Sequence, residues 1–146
     1  VTADCPLIDP FLIDYCVKAF HAGTKDIVSA GVDGGFPRGL DTEVFTRDAL
    51  LRAHEEGHHP SAREHVTWYM YQHPERYAVE RISAFGVYRH PEWRLCVDES
   101  DDLMLMTTIY DHLYKGTPLS FTDVVAFLGG NPDVAALNAH VTMKLT

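Results

Sequence analysis

Positive charge is what this 146-residue chain most lacks: 12 Lys and Arg stand against 21 Asp and Glu, a formal charge of −9 at pH 7. Nucleic acid and anionic membrane both require a basic footprint, so neither fits as a partner. The chain alone is also a poor trap for a polyphosphate, which would need metal ions or cations from another segment. Cysteine is scarce. Cys5, Cys16 and Cys96 are odd in number and have no C-x-x-C spacing, which reads as reduced thiols in a cytoplasmic protein. No apolar run reaches the length of a bilayer span, and no basic segment leads into an apolar one as in a signal peptide. Internal repeats, low-complexity tracts and linkers are absent. So are a P-loop, a dinucleotide fingerprint and a G-x-S-x-G elbow.

What is present is an ordinary globular composition, 46% hydrophobic and 23% charged, sized for a single domain over residues 1–146. A short extended run ends at Asp4, Cys5-Pro6 turns the chain, and Asp9-Pro10 caps and opens a helix. That helix, residues 11–20, is apolar around most of its circumference and is expected to be deeply buried. Residues 26–30 and 42–45 read as strands, with a glycine-rich loop over 31–39 between them. Thr46 caps a helix ending near Gly57. Ser61 and Glu64 form a capping box before an aromatic helix to about Gln72, and residues 77–89 suggest a strand or hairpin arm. Residues 94–98 look like a buried strand ending in Asp98. Helices then follow with stripes through Leu103, Met106, Ile109 and Leu113, and through Phe121, Val124 and Leu128. The second is capped by Ser120 with Asp123, is stopped by Gly129-Gly130, and gives way to a short helix from Asn131-Pro132. Alternating strands and helices place the chain in the α/β class.

Four constellations carry candidate chemistry. Asp4 and Asp98 each end an extended run before a helix. If both runs lie in one parallel sheet, their carboxylates emerge at the same edge and can hold Mg²⁺, which takes one or two carboxylates and fills its remaining positions with water and phosphate oxygens. Alternatively, each aspartate simply caps the helix after it. Asp41 and Glu43 alternate with apolar residues and share a strand face beside Arg38, either as a polar floor for sugar hydroxyls or as a solvated face. His54-Glu55-Glu56-Gly57-His58 matches the zinc-protease pattern H-E-x-x-H, but Gly57, His59 and Pro60 end the helix at the second histidine, so a solvated helix end is the better reading. In Arg63-Glu64-His65-Val66-Thr67, Glu64 is explained by capping, and His65 either donates to a ligand or packs.

Four segments occur in an order that resembles a known family: Thr2-Ala3-Asp4-Cys5-Pro6-Leu7-Ile8-Asp9-Pro10, the run from Phe36-Pro37-Arg38-Gly39 to Phe45, Arg63-Glu64-His65-Val66-Thr67, and Arg94 to Asp98 with Asp102-Leu103. The family is that of the spore-coat polysaccharide cytidylyltransferases, relatives of the CMP-KDO and CMP-sialic acid synthetases. The resemblance covers essentially the whole chain. It implies a three-layer α/β/α sandwich of the nucleotide-diphospho-sugar transferase type, and cytidylyl transfer from CTP to a sugar acid or sugar phosphate with release of pyrophosphate. It implies that Asp4 and Asp98 bind catalytic Mg²⁺, that Arg38, Asp41, Glu43, Glu64 and His65 bind substrate, and that the protein is a cytoplasmic homodimer.

Two departures stand out. Glu99-Ser100 replaces the usual Thr-Pro after the late aspartate, and Arg94-Leu95-Cys96-Val97-Asp98 replaces Arg-Trp-Thr-Val-Asp. The family's N-terminal strands, with their Gly/Arg/Lys-rich nucleotide loop, have no counterpart here. The resemblance therefore implies that this chain alone binds CTP weakly and turns over slowly or not at all. The other reading is a non-catalytic binding or assembly module that keeps the fold.

Overall fold

In the computed structural model, which describes residues 1–142, twelve residues at Pro10–His21 form helix α1. Asp9 is its N-cap, accepting from the Phe11 N–H at 2.9 Å, and Pro10 fills the first turn, where no N–H is needed. Strand β1 is Ile27–Ala30, and β2 is Thr42–Phe45, antiparallel to it with Val28 opposite Val44. Helix α2, Arg47–Glu56, starts at Thr46, whose hydroxyl accepts from the Ala49 N–H, and gives way at Gly57. The short helices α3 and α4 occupy Pro60–Glu64 and Trp68–Gln72. Strand β3, Val79–Arg81, lies parallel to β1 on its other edge, so the sheet order is β2-β1-β3. Helices α5 (Ser100–Leu113), α6 (Phe121–Gly130) and α7 (Pro132–Ala135) complete the described chain.

The α/β class is as expected, with a small mixed sheet. The main core gathers Leu12 and Cys16 of α1, Val28 and Ala30 of β1, Leu95 of the segment before α5, Leu105 and Ile109 of α5, and Phe121 and Leu128 of α6. A second cluster packs Ile27, Ala49, Ala53, Met70 and Tyr77 on the α2–α4 side. All three cysteines are free and buried. No helix among the described residues is long and apolar enough to cross a membrane.

Several expectations are corrected. Residues 1–9 form turns rather than a strand: Cys5 N–H bonds the Thr2 carbonyl and Ile8 N–H the Cys5 carbonyl, so the run folds back on itself. Helix α1 is not buried all round, because Phe11 is 61% exposed and Tyr15 also reaches solvent. Ser61 does not cap α3. The N-cap is His59, whose Nδ1 accepts from the Ser61 N–H, and Pro60 takes the first helical position. The aromatic helix breaks over 65–67, because Thr67 turns its hydroxyl toward β2 instead of continuing the helix. Within 77–89 only three residues pair as a strand, in parallel with β1 and not as a hairpin arm. Ser120 is at the N-cap of α6 but makes no side-chain bond there.

The stretch 94–98 is not a strand of the sheet. It makes one bridge, Arg38 to Arg94, with Arg38 N–H on the Trp93 carbonyl at 3.2 Å and Leu95 N–H on the Arg38 carbonyl at 2.7 Å. Gly39 makes that approach possible. Its φ is +101°, and a Cβ there would sit 2.4 Å from the Leu95 carbonyl carbon. Burial of this stretch comes instead from a polar keystone. Arg94 Nε donates to both Asp102 oxygens at 2.9 and 3.1 Å, and its Nη2 donates to Asp102 Oδ2 at 2.9 Å. Asp102 also accepts the N–H groups of Asp98 and Glu99 and the Asn138 amide at 2.8 Å, while that amide donates to the Arg94 carbonyl.

Asp102 is 0% exposed, yet these donors hold its carboxyl down at about 2, against the desolvation that would raise it. Removing one partner of such a pair strands a buried charge. Asp102→Ala is therefore expected to cost about 3–5 kcal/mol in denaturant unfolding. A carboxyl with a lowered folded-state pKa stabilises above its unfolded value and loses that contribution as pH falls. Acid titration of the folded protein should accordingly lose ~2 kcal/mol as pH drops from about 4 through about 2, a loss absent from Asp102→Asn.

Candidate functional site

Two adjoining cavities open on the face where the 31–43 loop, the α3–α4 break and the 94–99 segment meet. The first, about 360 Å³, is walled by Arg38, Asp41, Glu43, Thr67, Trp68 and Tyr71, with Arg81 of β3 and the glycine loop completing it. The second, about 580 Å³, holds Asp4, Cys5, Cys96, Asp98 and Glu99. Arg38, Asp41 and His65 line both. Six of the seven candidate residues read from the sequence, Asp4, Arg38, Asp41, Glu43, His65 and Asp98, therefore line one or both cavities. Glu64 does not. Its side chain is 77% exposed, and it reaches the site only through a 4.0 Å approach to His65 Nε2.

Glu43 lies on β2 with its carboxylate turned to the first cavity. Thr67 Oγ1 donates to its two oxygens at 2.9 and 3.0 Å, and the Tyr71 hydroxyl donates to Oε1 at 2.5 Å. Burial and then the Glu43 charge push the Tyr71 hydroxyl well above the ordinary tyrosine range. The Arg81 guanidinium lies 5.0 Å from the Tyr71 ring centre. Asp41 comes just before β2 and turns back to accept the Gly39 N–H at 2.9 Å, which secures the turn carrying Arg38. This half of the site is a stiff polar floor with an aromatic side wall. Such a surface suits a polyhydroxylated ring, whose hydroxyls bond the floor while its C–H face lies against Trp68.

Asp4 and Asp98 are brought together by loops rather than strand ends, since the Val97 N–H bonds the Asp4 carbonyl at 2.9 Å. Neither caps a helix: Asp9 caps α1, and Glu99 occupies the N-cap of α5 with Asp102 closing its first turn. The capping explanation for these two aspartates is thereby removed. Asp98 Oδ2 accepts from Arg94 Nη2 at 2.6 Å and from the Cys96 thiol at 3.4 Å. A hydrogen bond from Thr2 holds the Asp4 carboxyl below its usual range, with smaller help from Cys5 and from the Arg38 charge, so it is ionised at neutral pH. Burial raises the Cys5 thiol and pushes Cys96 up to about 12, so both are protonated filler beside the carboxylates and not nucleophiles.

The zinc-protease pattern is dismantled by the fold. Helix α2 ends at Glu56, His58 lies beyond it, and one guanidinium, that of Arg63, meets His54 Nδ1 at 3.0 Å and His58 Nδ1 at 3.5 Å. Sequence reading missed Thr67 and Tyr71 as the partners of Glu43, and Asp102 and Asn138 as the anchors of Arg94. The only local signal was the Arg94-to-Asp102 spacing, which is legible once Asp102 is recognised as the third residue of α5.

The fold and site define a mixed α/β protein with a cavity floored by polar side chains joined to a paired-aspartate cavity. No protein-family model matches the chain. It is 28% identical over 139 residues to the spore coat polysaccharide biosynthesis protein SpsF of Bacillus subtilis, covering 92% of this chain and 55% of that protein. It is 30% identical over 144 residues to the uncharacterized protein MJ1063 of Methanocaldococcus jannaschii, covering 99% and 58%. Its structure matches that of a cytidylyltransferase from Leptospira borgpetersenii with a TM-score of 0.84 at 22% identity, covering 99% of this chain and 59% of that one. The chain is thus a homologue of the spore coat polysaccharide biosynthesis protein and has the fold of a cytidylyltransferase. It spans just over half the length of these relatives.

Glu43→Gln removes the charge that opposes phenolate formation at Tyr71. Phenolate absorbance during alkaline titration should show Tyr71, Tyr77 and Tyr88 resistant to ionisation in the parent chain, and one tyrosine fewer in that resistant group in this variant. Tyr71→Phe should cost about 1.5–3 kcal/mol in denaturant unfolding, the range for a hydrogen bond to a charged group.

Proposed function

We propose that this chain carries the acceptor-sugar and metal-binding side of a CTP-dependent nucleotidyltransferase, which transfers a cytidylyl group to a sugar acid or sugar phosphate with release of pyrophosphate in surface polysaccharide synthesis. One observation carries the reading: a cavity with a hydroxyl-binding floor and a cavity with two aspartates share Arg38, Asp41 and His65. Two substrates bound in these cavities would meet at the shared residues. The homology to the spore coat protein and the cytidylyltransferase fold support the same class.

The donor set fits a hard divalent cation. Asp4 and Asp98 offer carboxylate oxygens from one cavity, and Arg94 engages only Oδ2 of Asp98 among the described residues. Asp102, although close to Asp98 and Cys96, is fully committed to Arg94, Asn138 and two backbone N–H groups and is not available to a metal. Asp4 and Asp98 would hold Mg²⁺, which when bound supplies charge neutralisation at the phosphates. Arg38, at the junction, carries a positive charge toward the same region. Glu43, with its two donors fixed, orients acceptor hydroxyls. Three buried free thiols support a cytoplasmic setting, and a homodimer belongs to this reading.

Mn²⁺, used as a paramagnetic stand-in for Mg²⁺, tests the site directly. Its binding, followed by solvent-proton relaxation, should weaken at least tenfold in Asp4→Asn and in Asp98→Asn with thermal unfolding little changed. Equal Mn²⁺ affinity in all three proteins overturns the metal assignment. A stable chain that binds neither Mn²⁺ nor CMP supports the binding-module reading instead.

A further inference from the structure

The break between α3 and α4 does more than satisfy Glu43. Helix α3 closes with the His65 N–H on the Ser61 carbonyl at 2.8 Å, and the next turn begins with the Trp68 N–H on the His65 carbonyl at 3.1 Å. His65 itself is extended, with φ −113° and ψ 111°. The flanks are fixed: Thr67 is tied to Glu43, and the Trp68 ring stacks on His59 with centroids 5.1 Å apart. The extended residue delivers an imidazole to the point where the two cavities join. Its only ion-pair partner among the described residues is Glu64 Oε2, at 4.0 Å, too far for a hydrogen bond.

We propose that His65 accepts the proton of the attacking acceptor hydroxyl. The inference rests on the transfer reading above. In the step, the acceptor oxygen bonds to the α-phosphorus of the nucleoside triphosphate, and the hydroxyl proton passes to the imidazole. The bond from that phosphorus to its bridging oxygen breaks, and pyrophosphate leaves with the electron pair. A phosphate monoester arrives already deprotonated and needs no base.

The other groups facing the junction are committed elsewhere. Glu43 is held by Thr67 and Tyr71, and Asp41 by the Gly39 N–H. Asp98 is bonded to Arg94, and Asp4, with its lowered pKa, is a poor base. Tyr71 and the two thiols hold their protons because their pKa values are raised. Asp33 pairs with Arg81 at 3.5 Å, and Glu99 occupies the N-cap of α5. Arg38, Arg81 and Arg94 are cations that cannot accept a proton. An imidazole suits this task near neutral pH, and Glu64 at the rim stabilises the imidazolium that forms.

Imidazole nitrogen NMR on the whole chain, with His65 assigned through His65→Gln, tests the placement without requiring turnover. Glucuronate and CMP with Mg²⁺ should each shift the His65 ring, glucuronate leaving one nitrogen unprotonated and hydrogen-bonded, and His65→Gln should weaken glucuronate binding about tenfold. Glucose esterified with phosphate at its anomeric oxygen should instead leave the ring doubly protonated. If glucuronate moves the Trp68 indole but not His65, this inference falls and the transfer reading stands. If it moves neither, the sugar cavity assignment falls with it. With the chain in excess over α-labelled CTP, His65→Gln should lower the rate of transfer to glucuronate by about 10²–10⁴-fold while His58→Gln leaves it unchanged. Equal rates in His65→Gln and the parent chain overturn the proton-accepting role.

Discussion

The buried ion pair between Arg94 and Asp102 is the constraint on which the rest of the site depends. Two charges taken out of water are costly, and the cost is offset only if every lone pair and proton finds a partner. Asp102 meets that condition through the Arg94 guanidinium, the Asn138 amide and the N–H groups of Asp98 and Glu99. The last two donors are the N–H of the α5 N-cap residue and the N–H just before it, so one carboxylate both closes a helix end and neutralises a cation. Because Arg94 also reaches Asp98, the position of one candidate metal ligand is set by a pair whose other member is sealed in the core.

From that pair the order of the site spreads through backbone. The segment carrying Arg94 has no sheet partners to hold it, yet it supports two neighbours: the Arg38 turn through the 38–94 bridge, and the N-terminal turns through Val97 and Asp4. Loops that bear function are set by a rigid scaffold. Here the scaffold for three loops is a polar knot rather than a strand edge, and Gly39 is the point where two of them touch most closely.

How much of this the sequence reveals depends on the range of the interaction. Asp9-Pro10, Thr46 and Gly57 set helix ends through neighbours within four residues, and all three are legible from local rules. The stretch 94–98 reads as a strand because a short apolar run looks alike whether it is buried by a sheet or by a helix and a loop; the deciding partners, Asp102 and Asn138, lie 8 and 36 residues from the carboxylate or guanidinium they meet. The break at 65–67 is hidden for the same reason. Its cause is a carboxylate on β2, 24 residues from Thr67. Asp4 and Asp98 line one cavity, but the strand-end geometry first assigned to them is replaced by two loops joined through a single backbone bond.

The acidity of the chain takes on a different meaning in this light. A net charge of −9 would make an anion-binding cleft unfavourable if the carboxylates in it were bare. They are not. Glu43 is wrapped by two hydroxyl donors, Asp41 by a backbone N–H and Asp98 by a guanidinium, so each carboxylate spends part of its field on fixed protein dipoles or charge. Arg38 and His65 line both cavities, and the ionised Asp4 lines the second, so cationic and anionic groups stand side by side there. On the proposed reading, an anionic ligand would be favoured here when it brings its own counter-ion, as a nucleotide accompanied by a divalent metal does.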